Sequence, residues 1–317
     1  MKLLSMLFAK NLSQEEQKPL SSAWYGKTRG GVAGHAIFIF ILKYTHIKIA
    51  YFILRFVVVY FMLFAPKAVQ TAYSFYRKRL GFEAPKAILF IYRNFFNLGQ
   101  VIVDKVAMLG GFHRKFSFSF ENEPMLHEMI AEGKGGLLIS AHVGNWEMAG
   151  QMLKRLDTRF KIVMFDAEHK RIKKQLEDVF VEKKNDFILI KDDLSHIFEI
   201  KKALDQKEII CIHGDRFLPG SKTITGTFFG SPAKFPLGVF SMAVLLNVPV
   251  SFAMAFKETG THYAFYATPF HYYNTESGTD RQKNTNDILA AYVNNLESLL
   301  KKYPAQWFNY YDFWSQE

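Results

Sequence analysis

Five short apolar runs recur after about residue 115: GLLIS at 136–140, KIVMF at 161–165, FILIK at 187–191, EIICIH at 208–213 and VPVSFAMAF at 248–256. Runs this short and this rich in Ile, Val, Leu and Phe read as strands buried on both faces. Helical spacing separates them. Ile172, Leu176 and Phe180 stand four apart in segment 171–183, and Leu194, Ile197, Phe198, Ala203 and Leu204 share a face in segment 192–206. KFPLGVFSMAVLLN carries Pro236 at a plausible helix start, and TNDILAAYVNNLESLLKKYP reads as a closing helix with Thr285 or Asn286 as cap and Pro304 as stop. Strands alternating with helices of about a dozen residues predict an α/β fold, a mostly parallel mixed sheet flanked by helices.

A different texture precedes it. Residues 36–66, AIFIFILKYTHIKIAYFILRFVVVYFMLFAP, are the most apolar window in the chain. A spanning helix needs roughly 20 predominantly apolar residues, whereas Lys43, Lys48 and Arg55 interrupt this one. Two membrane readings stand: residues 49–65 cross or dip into the bilayer, or two amphipathic helices lie in the interface, with Lys48 and Arg55 on one helix face. A buried hairpin of a soluble protein is the plain alternative. Basic residues lie on both sides (Lys27 and Arg29; Lys67, Arg77, Lys78 and Arg79), so they set no orientation but suit anionic lipid. The helical segments TAYSFYRKRLGF, with Gly81 as stop, and IYRNFFNLGQVIVDKVAML follow. Residues 1–66 are expected to form a membrane-anchoring region and residues 67–317 one catalytic-sized domain.

The formal charge of +11, from 40 Lys and Arg against 29 Asp and Glu, draws the protein to anionic partners. No P-loop, Gly-x-Gly-x-x-Gly, His-Glu-x-x-His or paired-cysteine pattern is present, and no nucleic-acid module supports binding to DNA or RNA. The lone Cys211 excludes an intrachain disulfide, suggests a reducing compartment and, within IICI, reads as a core thiol. Residues 1–35 show no signal-peptide pattern, so secretion is not expected.

LLISAHVGNWEMAGQML, residues 137–153, sets polar residues between a strand and a helix whose best cap is Asn145. Turns at the carboxyl ends of strands are where α/β sheets bind ligands. His142 sits there, and Glu147, five residues on, falls in the first helical turn, where its carboxylate can orient the imidazole and raise its basicity. By spacing alone, the pair fits a polar cap as well as a base with its orienter.

His142, Val143, Gly144, Asn145, Trp146 and Glu147 resemble the His-x4-acidic motif of the lipid A late acyltransferases, a branch of the lysophospholipid and glycerolipid acyltransferase superfamily. Three further segments follow in that family's order: CIHGDRFLPG, with Asp215 matching the Asp of an Asp-Gln pair; GTFFGSPAKFPLGVFSMAVLLNVPVSFAMAF; and the closing YPAQWFNYYDFW. With the amino-terminal segments, the likeness spans nearly the whole chain. It implies a glycerolipid acyltransferase-like fold and transfer of a fatty acyl chain from an acyl thioester, on acyl carrier protein or coenzyme A, to a lipid hydroxyl or amine at the cytoplasmic face of the inner membrane. His142 would act as base with Glu147, and nearby backbone N–H groups with a basic side chain would hold the oxyanion. Neither metal nor organic cofactor is needed.

Gly144, Asn145, Trp146, Asp215, Arg216, Phe228 and Phe229 are the remaining candidates for substrate binding or support of the site. Asp215 reads as support rather than direct chemistry, and His213 as a hydrogen-bonded core histidine. Phe228 and Phe229 line an acyl channel or pack in the core. The basic run at 169–174 docks a phosphate or the carrier protein, or is a solvated helix face. Arg216 stands where the family usually has Gln, and Ala305 where it has Glu. Arg216 therefore binds an acceptor phosphate or carboxylate, or partners Asp215. The acceptor stays open among a lipid A precursor, an aminoacyl lipid, a phospholipid and a pigment, beside a silent scaffold that binds lipid or carrier.

Overall fold

The computed structural model describes residues 47–314 apart from 110, 112–114, 147, 149–152, 154, 166–186, 191–194, 219 and 274–279. In chain order its main elements are α1 (Ile47–Phe64), α2 (Pro66–Ser74), α3 (Ala84–Leu109), β1 (Ser117–Glu121), α4 (Glu123–Ala131) and β2 (Gly136–Ser140). Then come β3 (Phe160–Phe165), β4 (Phe187–Ile190), α5 (Ser195–Asp205), β5 (Ile209–His213), β6 (Thr223–Phe228) and β7 (Ser231–Pro236). α6 (Leu237–Leu246), β8 (Val250–Thr259), β9 (His262–Ala267) and α7 (Arg281–Lys302) complete the order, and a 3-10 turn covers Pro304–Gln306. The expected helix over 171–183, the basic run at 169–174 and residues 36–46 of the apolar segment lie outside the described residues.

Seven strands form one sheet in the order β1-β9-β8-β2-β5-β3-β4. β2 pairs in parallel with β5 and β8, β3 with β5 and β4, and β1 with β9. The five strands legible as apolar runs are all present. Two features were not expected: β9 joins β8 antiparallel, and β6 with β7 forms a separate antiparallel hairpin. The sheet is mixed, as expected, and mostly parallel.

Alternation along β2 divides the core. Leu137, Ile139, Ala141 and Val143 face the cluster completed by Phe240 of α6 and Tyr292 of α7, while Leu138 faces the smaller one around Leu126 and Met129 of α4. Both sides of the strand are buried, which is why no polar residue interrupts GLLI. α7 begins one turn earlier than expected: Asp280 is the cap and accepts the Gln282 N–H at 2.9 Å. Thr285 is inside the helix, its hydroxyl bonded to the Arg281 carbonyl at 2.8 Å.

α1 is long and apolar enough to cross a membrane, with 22% of it buried. Ile47, Ala50, Leu54 and Val58 form its buried stripe, and Phe52, Phe56, Tyr60 and Leu63 face outward. Lys48 and Arg55 are exposed at the border between the two faces. Leu54 lies over Gly99 of α3, where any Cβ would overlap its side chain. That close approach seats α1 on the catalytic-sized part of the chain.

Candidate active site

β2 and β5 run side by side in register, with Ser140 paired to His213, and the Gly214 N–H closes onto the Ser140 carbonyl at 2.8 Å. Two residues beyond each strand stand His142 and Asp215. His142 Nδ1 lies 2.8 Å from Asp215 Oδ1, and the His142 backbone N–H donates to Oδ2 at 2.9 Å. One carboxylate thus grips both ring and backbone of one residue. Because the carboxylate can only accept, Nδ1 carries a proton, and in the neutral ring the lone pair is then on Nε2. His142 is 5% and Asp215 1% exposed. Burial alone would push Asp215 up, but His142 beside it, with Arg216 and His213, holds it well below the usual carboxylate range.

The turn carrying His142 is fixed amide by amide. The Val143 N–H bonds the Ala141 carbonyl at 2.8 Å, Gly144 donates to Gln306 O at 2.7 Å, and Asn145 donates to Ala255 O at 2.8 Å. Gly144 has φ +54°, and a Cβ there would collide with the Ala255 carbonyl oxygen, so both conformation and clearance demand glycine. Asn145 Oδ1 accepts the Met148 N–H at 3.1 Å, which makes it the helix cap the sequence suggests. The amides of residues 142–145 thus all have acceptors within the protein.

The closing segment braces this turn. Val143 and Trp307 form an antiparallel bridge, and the Phe308 N–H reaches His142 O at 3.3 Å. Gln306 clamps the backbone of Lys257 on β8: Oε1 accepts its N–H at 2.9 Å and Nε2 donates to its carbonyl at 2.7 Å. Asn94 and Asn97 of α3 both donate to Ala305 O, and Asn94 also to Trp307 O at 2.8 Å. At position 305 the backbone carbonyl therefore makes the contacts.

Trp146 packs edge-on to His142 with centroids 5.3 Å apart, and the half-buried His213 lies 4.4 Å from His142 and 6.1 Å from Trp146, so the three rings form a triangle. His213 is thus part of the site rather than of the core. His142, His213 and Asp215 offer ligand atoms within 4.8 Å of one another, a spacing a metal ion could collapse; both Asp215 oxygens, however, are taken by His142. The Arg216 guanidinium lies close enough to Asp215 to lower it and donates Nη2 to Phe308 O at 3.0 Å. Phe228 is wholly buried against Trp307, Phe313 and Trp314, and Phe229 flanks it on the hairpin turn. Cys211 is half-buried on β5, and burial pushes its thiol up to about 12. Glu147 lies outside the described residues, and the carboxylate seen on the imidazole is that of Asp215.

Sequence reading missed Gln306, Asn94, Lys257 and Asp104. The signals were present: Lys257 is a charge at the end of the apolar run SFAMAF, and Asp104 stands in the apolar face of a helix.

An α/β sheet that gathers polar side chains beyond the carboxyl ends of its central strands belongs to a class that binds ligands at that edge. Residues 80–314 match the family of bacterial lipid A biosynthesis acyltransferases, well over half of the 317-residue chain. The chain belongs to that family, as the resemblance in HVGNWE, HGDRF, FFGSPA and YPAQW implies. No curated protein matches it.

Proposed function

We propose that the protein is a membrane-bound acyltransferase that moves a fatty acyl chain from an acyl thioester, on acyl carrier protein or coenzyme A, to a hydroxyl of a lipid A precursor or related lipid. The observation that carries this reading is the buried His142–Asp215 pair within the stretch that matches the family. His142 Nε2 takes the proton of the acceptor hydroxyl as its oxygen bonds to the thioester carbon. The tetrahedral intermediate then collapses, the C–S bond breaks, and the imidazolium returns the proton to the departing thiol. Asp215 fixes the tautomer and offsets the charge gained by the ring. Glu147, five residues on in sequence, is proposed to act with His142 as the base. No metal or organic cofactor enters; the acyl thioester is a co-substrate.

Because the amides of the turn are committed, we assign the oxyanion to a cationic donor, for which Arg216 is the candidate beside Asp215. The same guanidinium suits a phosphate or carboxylate on the acceptor, so an aminoacyl lipid or phospholipid acceptor is the second reading. Trp146 and Phe229 are proposed to border the acyl chain, whereas the wholly buried Phe228 packs in the core. The outward apolar face of α1, with Lys48 and Arg55 at its rim, supports seating in a bilayer, and the charge of +11 suits an acidic carrier protein and anionic headgroups. The active site is proposed to lie at the cytoplasmic face of the inner membrane, as the family resemblance implies. Mass spectrometry of lipids from cells with and without the gene tests the reading. Loss of one acyl chain from a lipid A species supports it, a change confined to aminoacyl lipids or phospholipids selects the second reading, and unchanged lipids contradict both.

A further inference from the structure

Behind the His142 turn lies a charged pair that the chemistry above does not use. Asp104 of α3 is 0% and Lys257 of β8 7% exposed, and the two are ion-paired. Two hydroxyls complete the cluster: Tyr51 of α1 and Tyr263 of β9 both donate to Asp104, and Lys257 Nζ reaches Tyr51 at 2.9 Å and Tyr263 at 3.5 Å. Burial pushes the Asp104 carboxyl up and the Lys257 ammonium down, each opposed by the partner's charge. Replacing such a pair by apolar residues is often neutral or stabilising, so its presence points to a task other than stability.

The task is legible in the direction of the hydrogen bonds. A tyrosine hydroxyl has one proton. Tyr263 gives its proton to Asp104, so it shows only lone pairs to Asn145, whose Nδ2 donates to it at 3.2 Å. That turns the Asn145 amide so that Oδ1 faces the Met148 N–H and caps the helix behind His142. Lys257 keeps Asp104 an acceptor, and its own backbone holds Gln306, whose carbonyl holds Gly144. Polarity thus runs from the ion pair through Tyr263 and Asn145 to the turn.

We propose that Lys257, Asp104 and Tyr263 are positioning residues of the acyl-transfer site, setting the orientation of the Asn145 amide and through it the turn that presents His142. The catalytic part of this proposal rests on the function assigned above. Tyr51 bonds the same carboxylate and accepts from Lys257, but among the described residues it is Tyr263 whose hydroxyl meets the Asn145 amide, which makes Tyr51→Phe the matched control for Tyr263→Phe.

The test uses the full chain in detergent. It combines hydrogen exchange of peptides covering 142–148, kcat and KM for acyl transfer, and thermal midpoints. Tyr263→Phe should raise exchange at Met148 at least fivefold and lower kcat about tenfold, with KM within twofold; Tyr51→Phe should leave exchange and kcat within twofold. A serine hydroxyl caps a helix without needing a donor partner to orient it. In an Asn145→Ser background, therefore, Tyr263→Phe should cost less than twofold in kcat. Equal effects of the two Tyr→Phe changes, or a tenfold loss that persists in the Asn145→Ser background, overturns the proposal. Comparison of Asn145→Ser with and without Tyr263→Phe also decides the question if the single Tyr263→Phe protein does not fold. Exchange does not depend on turnover, so a wild type inactive on every acyl thioester would remove the functional reading while the exchange result still decides this one.

Discussion

Asp215 accepts both the ring Nδ1–H and the backbone N–H of His142, at 2.8 and 2.9 Å. The pair is 73 residues apart in sequence and is made by two strands that pair in register and each run two residues further. A carboxamide in place of this carboxylate keeps an acceptor for the ring but loses the charge that stabilises the imidazolium. Asp215→Asn is expected to lower kcat about 100- to 10,000-fold with a smaller change in KM. Steady-state kinetics check this.

The same carboxylate fixes a pH dependence. Its folded pKa lies below the unfolded value of roughly 3.9, so its contribution to stability is complete above that value and is lost as pH falls toward the folded one. Thermal midpoints of wild type and Asp215→Asn should therefore differ most at pH ~5 and above and converge as the medium is acidified below pH ~4. A gap that widened on acidification would reverse the sign.

Gly144→Ala places a methyl group against the Ala255 carbonyl in a left-handed backbone region. The expected cost is about 3 kcal/mol or more, read as a large fall in the thermal midpoint and a loss of soluble yield.

Gln306→Ala strips partners from the Lys257 N–H and carbonyl, both buried on β8. Two unsatisfied groups should cost roughly 2–5 kcal/mol, and Gln306→Glu, which sets a buried carboxylate oxygen against the Lys257 carbonyl, should not restore the stability at neutral pH. Chemical denaturation measures both.

Arg216→Gln restores the residue usual in the family and removes a donor from Phe308 O. Loss of the proposed oxyanion donor should lower kcat about 100-fold, and KM for an acceptor bearing phosphate or carboxylate should rise about tenfold or more if the guanidinium also binds that group, while donor affinity stays within twofold. Acceptor titration at fixed acyl donor separates the two.

Local pattern made β2, β5 and β8 legible because they are buried on both faces and read as apolar runs, and β3 and β4 are as apolar though only half-buried. β1, at one edge, alternates instead, and β9 beside it is a short run broken by His262 and two tyrosines; both escaped notice. The β6–β7 hairpin was hidden by its turn. Phe229 and Gly230 both have positive φ, 48° and 72°, the geometry for which Asn-Gly is the usual signal, and here a phenylalanine takes the first place. The Phe75 ring and the bond from Phe229 N–H to Glu297 hold it there. Within the site, His142, Asn145 and Gly144 are readable from one turn. The partners that give them meaning, Asp215, Gln306, Ala255 and Tyr263, arrive from other strands and the closing segment, and spacing along the chain carries no sign of them.

The central claim is that His142 is the base for acyl transfer, and it is tested most directly by purified wild type and His142→Ala given acyl carrier protein thioester and a lipid extract, with acylated products followed by mass spectrometry. The expected result is an acylated lipid from wild type and at least a 100-fold lower rate from His142→Ala that is folded by circular dichroism. Equal product from the two proteins would contradict the assignment.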